Sequence, residues 1–103
     1  MKKKAMLSQP MAGKTPEEIG EVRDKAIKYL EKSGFQFVDT YFPNDLKCLT
    51  VDILSKPLFC LGKSLMYMSY CDAVYFCKGW DKTRGCRVEH DAAVAYGLEV
   101  IEE

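Results

Sequence analysis

The composition of this 103-residue chain is that of one ordinary globular domain. Of its residues, 48% are hydrophobic and 29% are charged, and we expect a single domain over residues 1–103. Because 15 basic side chains balance 15 acidic ones, no overall positive field is available to bind nucleic acid or an anionic membrane. The basic residues 2–4 precede an apolar segment too short for a signal peptide, and no stretch is long enough to cross a membrane. We therefore expect a cytoplasmic protein without nucleic-acid or membrane partners.

The cysteines point to a reducing compartment rather than to a disulfide framework. There are five of them, an odd number with no CxxC pair: Cys48, Cys60, Cys71, Cys77 and Cys86. Cys71 and Cys77 flank or lie in an apolar run and are interpreted as small core residues. With His90 as the single histidine and no close Cys/His spacing, we expect neither a zinc site nor another cofactor.

The N-terminal half predicts a strand, a helix and a second strand. Residues 5–7 form a short apolar strand that ends in the turn of residues 8–13. Thr15, with proline next and glutamate three residues on, is a capping box and starts the helix. The helix ends at residues 32–34, which include a glycine, and residues 35–38 are the second strand.

The C-terminal half predicts two helices alternating with two strands. Residues 39–56 show no convincing periodicity and are expected to form an irregular loop, with a short helix or disorder as alternatives. A helix begins at Pro57 and ends near Tyr70, and the continuous apolar run 73–77 is typical of a buried strand. The last helix begins at Arg84 and stops at Gly97, before a final strand over residues 99–101.

Strands that alternate with helices predict an α/β fold with a parallel sheet of about four strands and helices on both faces. The expected strand order is 2-1-3-4, which places the switch point between the first and third strands. The loops of residues 8–13 and 78–85 then face each other across one crevice. Open parallel sheets bind ligands at such a place.

Glu89 is the main candidate for chemistry in this crevice. A glutamate on a helix is ordinarily a solvated surface residue. Here Gly85, one turn earlier, opens access to the same face, and the other neighbours on it, Ala92, Ala93 and Tyr96, are mostly small. We therefore expect the carboxylate to point toward the sheet edge rather than into water.

Two aromatic side chains near Glu89 have competing interpretations. Trp80, alone in a polar loop beside Gly79, suits stacking on a planar ring of a ligand, but it can equally fill the loop as a hydrophobe. His90 adjoins Glu89 and points about 100° away from it on a helix, so we expect a surface or packing role.

Three stretches carry a resemblance to a known family: residues 8–14 (SQPMAGK), 71–80 (CDAVYFCKGW) and 85–97 (GCRVEHDAAVAYG). In this order they resemble the nucleoside 2-deoxyribosyltransferase-like superfamily, especially its small branch of phage and bacterial proteins. The resemblance implies a flavodoxin-like (Rossmann-like) three-layer sandwich whose crevice binds a 2'-deoxynucleoside or its 5'-monophosphate. It also implies a transferase or glycosidase in which a glutamate attacks the anomeric carbon and expels the base.

The resemblance assigns roles to particular residues. Glu89, four residues after Gly85, matches the nucleophilic glutamate of active relatives. The expected substrate-binding residues lie in the first-strand turn and the third-strand loop: Ser8, Gln9, Pro10, Met11, Gly13, Gly79, Trp80, Thr83 and Gly85.

The chain departs from the family pattern at two positions. Ser64 stands where active relatives usually carry an aspartate that helps the base depart, so this helper is missing, or Asp81 or a partner-chain group replaces it. Gln9 stands where many relatives have glycine, and its side chain leaves less room in the turn. A non-catalytic nucleotide-binding module and a structural protein with a vestigial crevice are therefore the alternative functions.

Two further expectations concern the ligand and the assembly. Relatives that prefer free nucleosides tend to carry an acidic residue where this chain has Thr83, so Thr83, with Arg84 and Arg87 nearby, favours a 5'-phosphate. Family members commonly form homodimers or larger homo-oligomers in which a neighbour completes the pocket. The loop of residues 39–56 and the tyrosine-rich second helix offer an interface here.

Overall fold

The computed structural model describes residues 2–40 and 54–103, so most of the expected loop 39–56 lies outside the described residues. The strands are β1 (Lys4–Ser8), β2 (Gln36–Phe37), β3 (Ala73–Phe76) and β4 (Glu99–Glu102), and the helices are α1 (Pro16–Lys32), α2 (Lys56–Met68) and α3 (Arg84–Ala95). A single turn of 3-10 helix, Trp80–Lys82, precedes α3. None of the described helices is long and apolar enough to cross a membrane.

The four strands form one parallel sheet in the order β2-β1-β3-β4, which confirms the expected topology. β1 pairs with β3 from Ala5 opposite Ala73 to Ser8 opposite Phe76. The edge strand β2 is only two residues long, shorter than the sequence predicts. The central pair is buried from Ala5 to Ser8 of β1 and throughout β3, as expected for strands covered on both faces.

Helices cover both faces of the sheet, so the molecule is a three-layer sandwich of the flavodoxin-like kind. On one face, Leu7 and Tyr75 pack against Ala26 and Leu30 of α1. On the other face, the alternate strand residues, among them Phe76, pack against α2 and α3. Each strand therefore sends successive side chains to opposite layers, and this alternation decides which polar residues can meet at the carboxyl edge.

Local signals in the sequence fix the helix ends. The Thr15 hydroxyl accepts a hydrogen bond from the Glu18 amide while the Glu18 carboxylate accepts one from the Thr15 amide, which confirms the capping box. Ser55 caps α2 in the simpler way, since its hydroxyl accepts a hydrogen bond from the Leu58 amide at 3.3 Å. α2 ends at Met68, two residues before the end that the sequence predicts.

The loops after β1 and β3 meet at the carboxyl edge of the sheet, as expected. Gly79 has a φ of +91°, a conformation that L side chains rarely adopt. A Cβ atom built on Gly79 would lie 3.6 Å from the Cγ atom of Pro10. The two loops therefore pack against one another at this edge of the sheet.

Candidate active site

Glu89 lies on the face of α3 that packs against the sheet. The buried residues of this helix are Cys86, Glu89 and Ala93, which follow one another at helical spacing. Only 8% of the Glu89 surface is exposed. The expectation that this carboxylate points toward the sheet is therefore confirmed, because the small neighbouring side chains let α3 approach closely.

The partner of Glu89 is Ser8, the last residue of β1. The Ser8 hydroxyl donates a hydrogen bond to Oε1 of Glu89 across 3.3 Å, longer than the usual O–H···O distance. Ser8 is 1% exposed, so both partners are shielded from water. Residues 81 positions apart in the sequence thus join the central strand to the last helix at the site.

Burial raises the pKa of Glu89 from its ordinary 4.5 to about 7, and the hydrogen bond from Ser8 opposes this change only in part. Near neutral pH the carboxyl group therefore exists in both its protonated and its ionised form. A carboxyl group poised in this way can accept or give a proton, or act as a nucleophile once ionised.

Cys86 is a member of this site that the sequence analysis did not single out. Its thiol contacts the hydroxyl groups of Ser8 and Thr83 and lies near the Glu89 carboxylate. Burial raises the pKa of this thiol, although the two hydroxyl groups partly offset the effect. The thiol therefore stays protonated near neutral pH and lines the site as a weakly polar neighbour. The sequence does carry a signal for Cys86, because its spacing of three residues from Glu89 puts both side chains on one helix face.

Thr83 precedes α3 but does not cap it with its side chain. Its hydroxyl instead donates a hydrogen bond to the carbonyl oxygen of Trp80 at 3.1 Å, inside the preceding 3-10 turn. The N–H groups of the first turn of α3 have no carbonyl partner within the helix. They point out from the positive end of the helix at the same edge as Ser8.

Trp80 and His90 pack against each other. Their rings are stacked, with centroids 3.9 Å apart and planes 8° from parallel, and Phe76 contacts both rings. The Nε2 atom of His90 also lies 3.1 Å from a carboxylate oxygen of Glu102. This confirms a packing role for His90. One face of the indole is occupied by His90, which favours the packing interpretation of Trp80 over stacking on a ligand.

The Gln9 side chain points away from Glu89. Its Nε2 atom donates a hydrogen bond to the carbonyl oxygen of Ile19 in α1, at 2.9 Å, on the opposite layer of the sandwich. Its Oε1 atom is buried and has no hydrogen-bond partner among the described residues. Gln9 thus ties the loop after β1 to α1, and its side chain is not part of the site.

The remaining candidates differ in their burial. Pro10 is buried against the second loop, while Met11 and Gly13 are exposed at its outer side. Asp81 is exposed on the 3-10 turn and makes no hydrogen bond to Glu89 in the described part of the chain. Gly85 lies in the first turn of α3, where a Cβ atom would meet nothing within 4 Å.

Ser64 lies half-buried on α2, and its hydroxyl cannot supply the carboxyl group that active relatives usually carry at this position. Within residues 2–40 and 54–103, no three His, Cys, Asp or Glu side chains are grouped so that they could hold a metal ion. The chemistry available at this site is therefore that of one buried carboxyl group, two hydroxyl groups, a thiol and a helix N-terminus.

Comparison with known proteins places this architecture in a family. No curated protein and no solved structure matches the chain. The family model described as "Domain of unknown function (DUF4406)" matches residues 3–102. Since this match covers nearly the whole chain, the protein belongs to the DUF4406 family.

Proposed function

We propose that this protein cleaves the N-glycosidic bond of a 2'-deoxynucleoside or its 5'-monophosphate, passing the deoxyribosyl group to another base or to water. The observation that carries the proposal is the buried Glu89 carboxyl group, held at the switch point of the sheet by Ser8. The resemblance to nucleoside 2-deoxyribosyltransferase-like proteins supports the same assignment.

In the first step, the ionised Glu89 carboxylate attacks the anomeric carbon. A C–O bond forms as the C–N bond to the base breaks, and the electron pair of that bond leaves with the base. The base takes up a proton, which Asp81, solvent or a partner-chain group supplies. In the second step, a nitrogen of an acceptor base or the oxygen of water bonds to the anomeric carbon as the C–O bond to Glu89 breaks. The electron pair of that bond returns to the carboxylate, and the acceptor gives up a proton to Asp81, solvent or a partner-chain group.

Burial of the carboxylate favours this step for an electrostatic reason. An ionised group that is shielded from water is raised in free energy, and the attack on the anomeric carbon removes its charge. The Ser8 hydroxyl, which donates to Oε1, holds the carboxyl group in one orientation and keeps a fraction of it ionised.

The 5'-phosphate of the ligand would lie at the start of α3. Unpaired N–H groups and the positive helix end suit a phosphate there, and Arg87 is exposed close by. Thr83 adds a hydroxyl at the same place. This arrangement favours the monophosphate over the free nucleoside.

The second candidate is a nucleotide-binding module without catalysis. It is favoured by the serine at position 64 and by the exposed position of Asp81, which leave Glu89 without a second carboxyl group in contact among the described residues. Binding would then use the same crevice and the same helix N-terminus.

A panel of deoxynucleosides and their monophosphates separates the two functions. The protein is incubated with each compound, with and without acceptor bases, and free base is measured by chromatography. We expect base release by the wild-type protein and its loss, by several orders of magnitude, in Glu89→Gln. Glu21→Gln, an exposed glutamate on α1, is the matched control and should release base at the wild-type rate.

Thermal-shift measurements with the same panel provide the second readout, because a ligand that binds only the folded state raises the melting temperature. A melting shift without base release would support the binding module. Base release by Glu89→Gln at the wild-type rate would show that Glu89 is not the nucleophile.

A further inference from the structure

A cavity adjoins the turn that precedes Glu89. It has a volume of about 350 Å³ and opens between the first turns of α2 and α3. Its walls are mainly apolar, formed by Pro57, Leu58 and Leu61 from α2 and by Val88 from α3. This volume is at the lower end of ordinary ligand pockets, so the α2–α3 cavity suits one ring system rather than a polymer.

Gly85 connects the α2–α3 cavity to the candidate active site. It lines the cavity and lies four residues before Glu89, which places both on neighbouring positions of one helix face. A Cβ atom on Gly85 would meet nothing within 4 Å, so the missing side chain leaves open space at this wall. A ligand in the cavity would therefore sit beside the turn that carries the carboxylate.

The described polar side chains of the cavity can donate hydrogen bonds. Arg84 contributes a guanidinium group, which has N–H donors and no acceptor. The Ser55 hydroxyl oxygen already accepts the Leu58 amide, which leaves its proton free to donate. Among the described lining residues there is no carboxylate, side-chain amide or imidazole.

On the basis of the proposed function, we propose that the α2–α3 cavity holds the base of the ligand and selects bases that carry carbonyl oxygens over bases that carry amino groups. A carbonyl oxygen and a ring nitrogen accept hydrogen bonds from a guanidinium group, as guanine does from arginine. An amino group at the same position would face donors and leave its own N–H groups unpaired, which costs affinity.

Matched ligand pairs test the selectivity without catalysis. Calorimetric titration of Glu89→Gln compares 2'-deoxyinosine 5'-monophosphate with 2'-deoxyadenosine 5'-monophosphate. The first carries a 6-oxo group where the second carries a 6-amino group. The 2'-deoxyuridine and 2'-deoxycytidine monophosphates form the second pair. We expect the oxo member of each pair to bind about tenfold more tightly or better. Equal affinities, preference for the amino member or no binding at all would overturn the inference.

Two variants with matched controls locate the selectivity. Arg84→Met should make the affinities within each pair equal, whereas Lys28→Met, which removes an exposed cation on α1 away from the cavity, should keep the preference. Gly85→Leu fills the cavity and should abolish binding of all four ligands. Gly62→Leu makes the same change at an exposed position of α2 and should not. Preference retained in Arg84→Met, or binding retained in Gly85→Leu, would overturn the assignment.

The outcome is independent of whether the protein is an enzyme. Selective binding of oxo bases without base release by the wild-type protein would support this inference and contradict the proposed reaction. Base release with equal affinities for oxo and amino bases would support the reaction and contradict this inference.

Discussion

The Ser8 hydroxyl lies 3.3 Å from the Glu89 carboxylate, and both groups are buried at the carboxyl edge of the central strand. The hydroxyl is the one hydrogen-bond donor to this carboxylate among the described side chains. One long hydrogen bond offsets little of the cost of burying a charge. Glu89 is therefore costly to keep ionised, as is common for carboxyl groups at functional sites rather than in structural ones.

The stability of the protein should fall as the pH rises, because of Glu89. Its pKa is about 7 in the folded state, against the ordinary 4.5, so the folded state holds the proton more tightly than the unfolded state. The contribution is fully present below pH 4.5 and is lost as the pH rises through 7. For a change of this size the loss amounts to roughly 3 kcal/mol in the free energy of unfolding.

Glu89→Gln removes this dependence. We expect the variant to gain stability relative to the wild-type protein between pH 5 and pH 8, by up to ~3 kcal/mol, as other titrating groups cancel in the difference. Urea unfolding of both proteins at the two pH values measures it. If the free energies of unfolding of the two proteins differ by the same amount at pH 5 and at pH 8, the pKa of Glu89 is not raised.

Ser8→Ala should move the pH dependence of base release. The Ser8 hydroxyl lowers the pKa of Glu89, so its removal should raise that pKa further. Because the ionised carboxylate is the nucleophile, activity rises with pH through this pKa, and the rising limb of kcat/KM should shift upward by about half a pH unit. Ser69→Ala, which changes an exposed serine at the C-terminal end of α2, is the control. A lower rate with an unmoved limb would assign Ser8 a purely structural role.

The strand order and the buried glutamate could be predicted from the sequence, for physical reasons that act locally. Alternating apolar runs and capped helices allow few parallel topologies, and the small residues around Glu89 indicate that its side of the helix faces the sheet. The exact end of β1 could not be predicted, and it decides to which face of the sheet the Gln9 side chain points. Since β1 extends through Ser8, strand alternation sends Ser8 toward α3 and Gln9 toward α1.

The roles of Cys86 and Trp80 could not be predicted from the sequence, for a different reason. A cysteine on the buried face of a helix has the same pattern whether it packs in a core or lines a site. Its contact with Ser8 and Thr83 depends on how α3 lies across the sheet, which sequence spacing does not give. Likewise, the sequence left two interpretations of Trp80, and the position of the His90 ring favours one of them.

The protein should form a homodimer or a larger homo-oligomer. Several large hydrophobic side chains on α2 and the following turn are exposed, including Met66 at 51% and Tyr70 at 65%. We expect light scattering at micromolar concentration to give at least twice the mass of the chain, and Met66→Lys to lower it. A monomeric wild-type protein would contradict the prediction and any site shared between chains. Val94→Lys, on the exposed side of α3, tests whether the effect is local to α2.

The last prediction concerns the 5' end of the ligand. A deoxynucleoside 5'-monophosphate should bind more tightly than the matching nucleoside, because α3 offers N–H groups and a positive helix end with no acidic residue in its first turn. Thr83→Asp should reverse this order, since the new carboxylate repels the phosphate and can accept a hydrogen bond from a 5'-hydroxyl. Calorimetric titration of both ligands measures the two affinities.

Thr83→Ser is the matched control, because it keeps a hydroxyl able to donate to the Trp80 carbonyl oxygen as threonine does. It should retain the preference for the monophosphate, which distinguishes the effect of charge from disturbance of the 3-10 turn. Raising the salt concentration should weaken monophosphate binding by the wild-type protein and leave nucleoside binding nearly unchanged. Equal wild-type affinities for the two ligands, or a preference for the nucleoside, would show that no phosphate site exists at the start of α3.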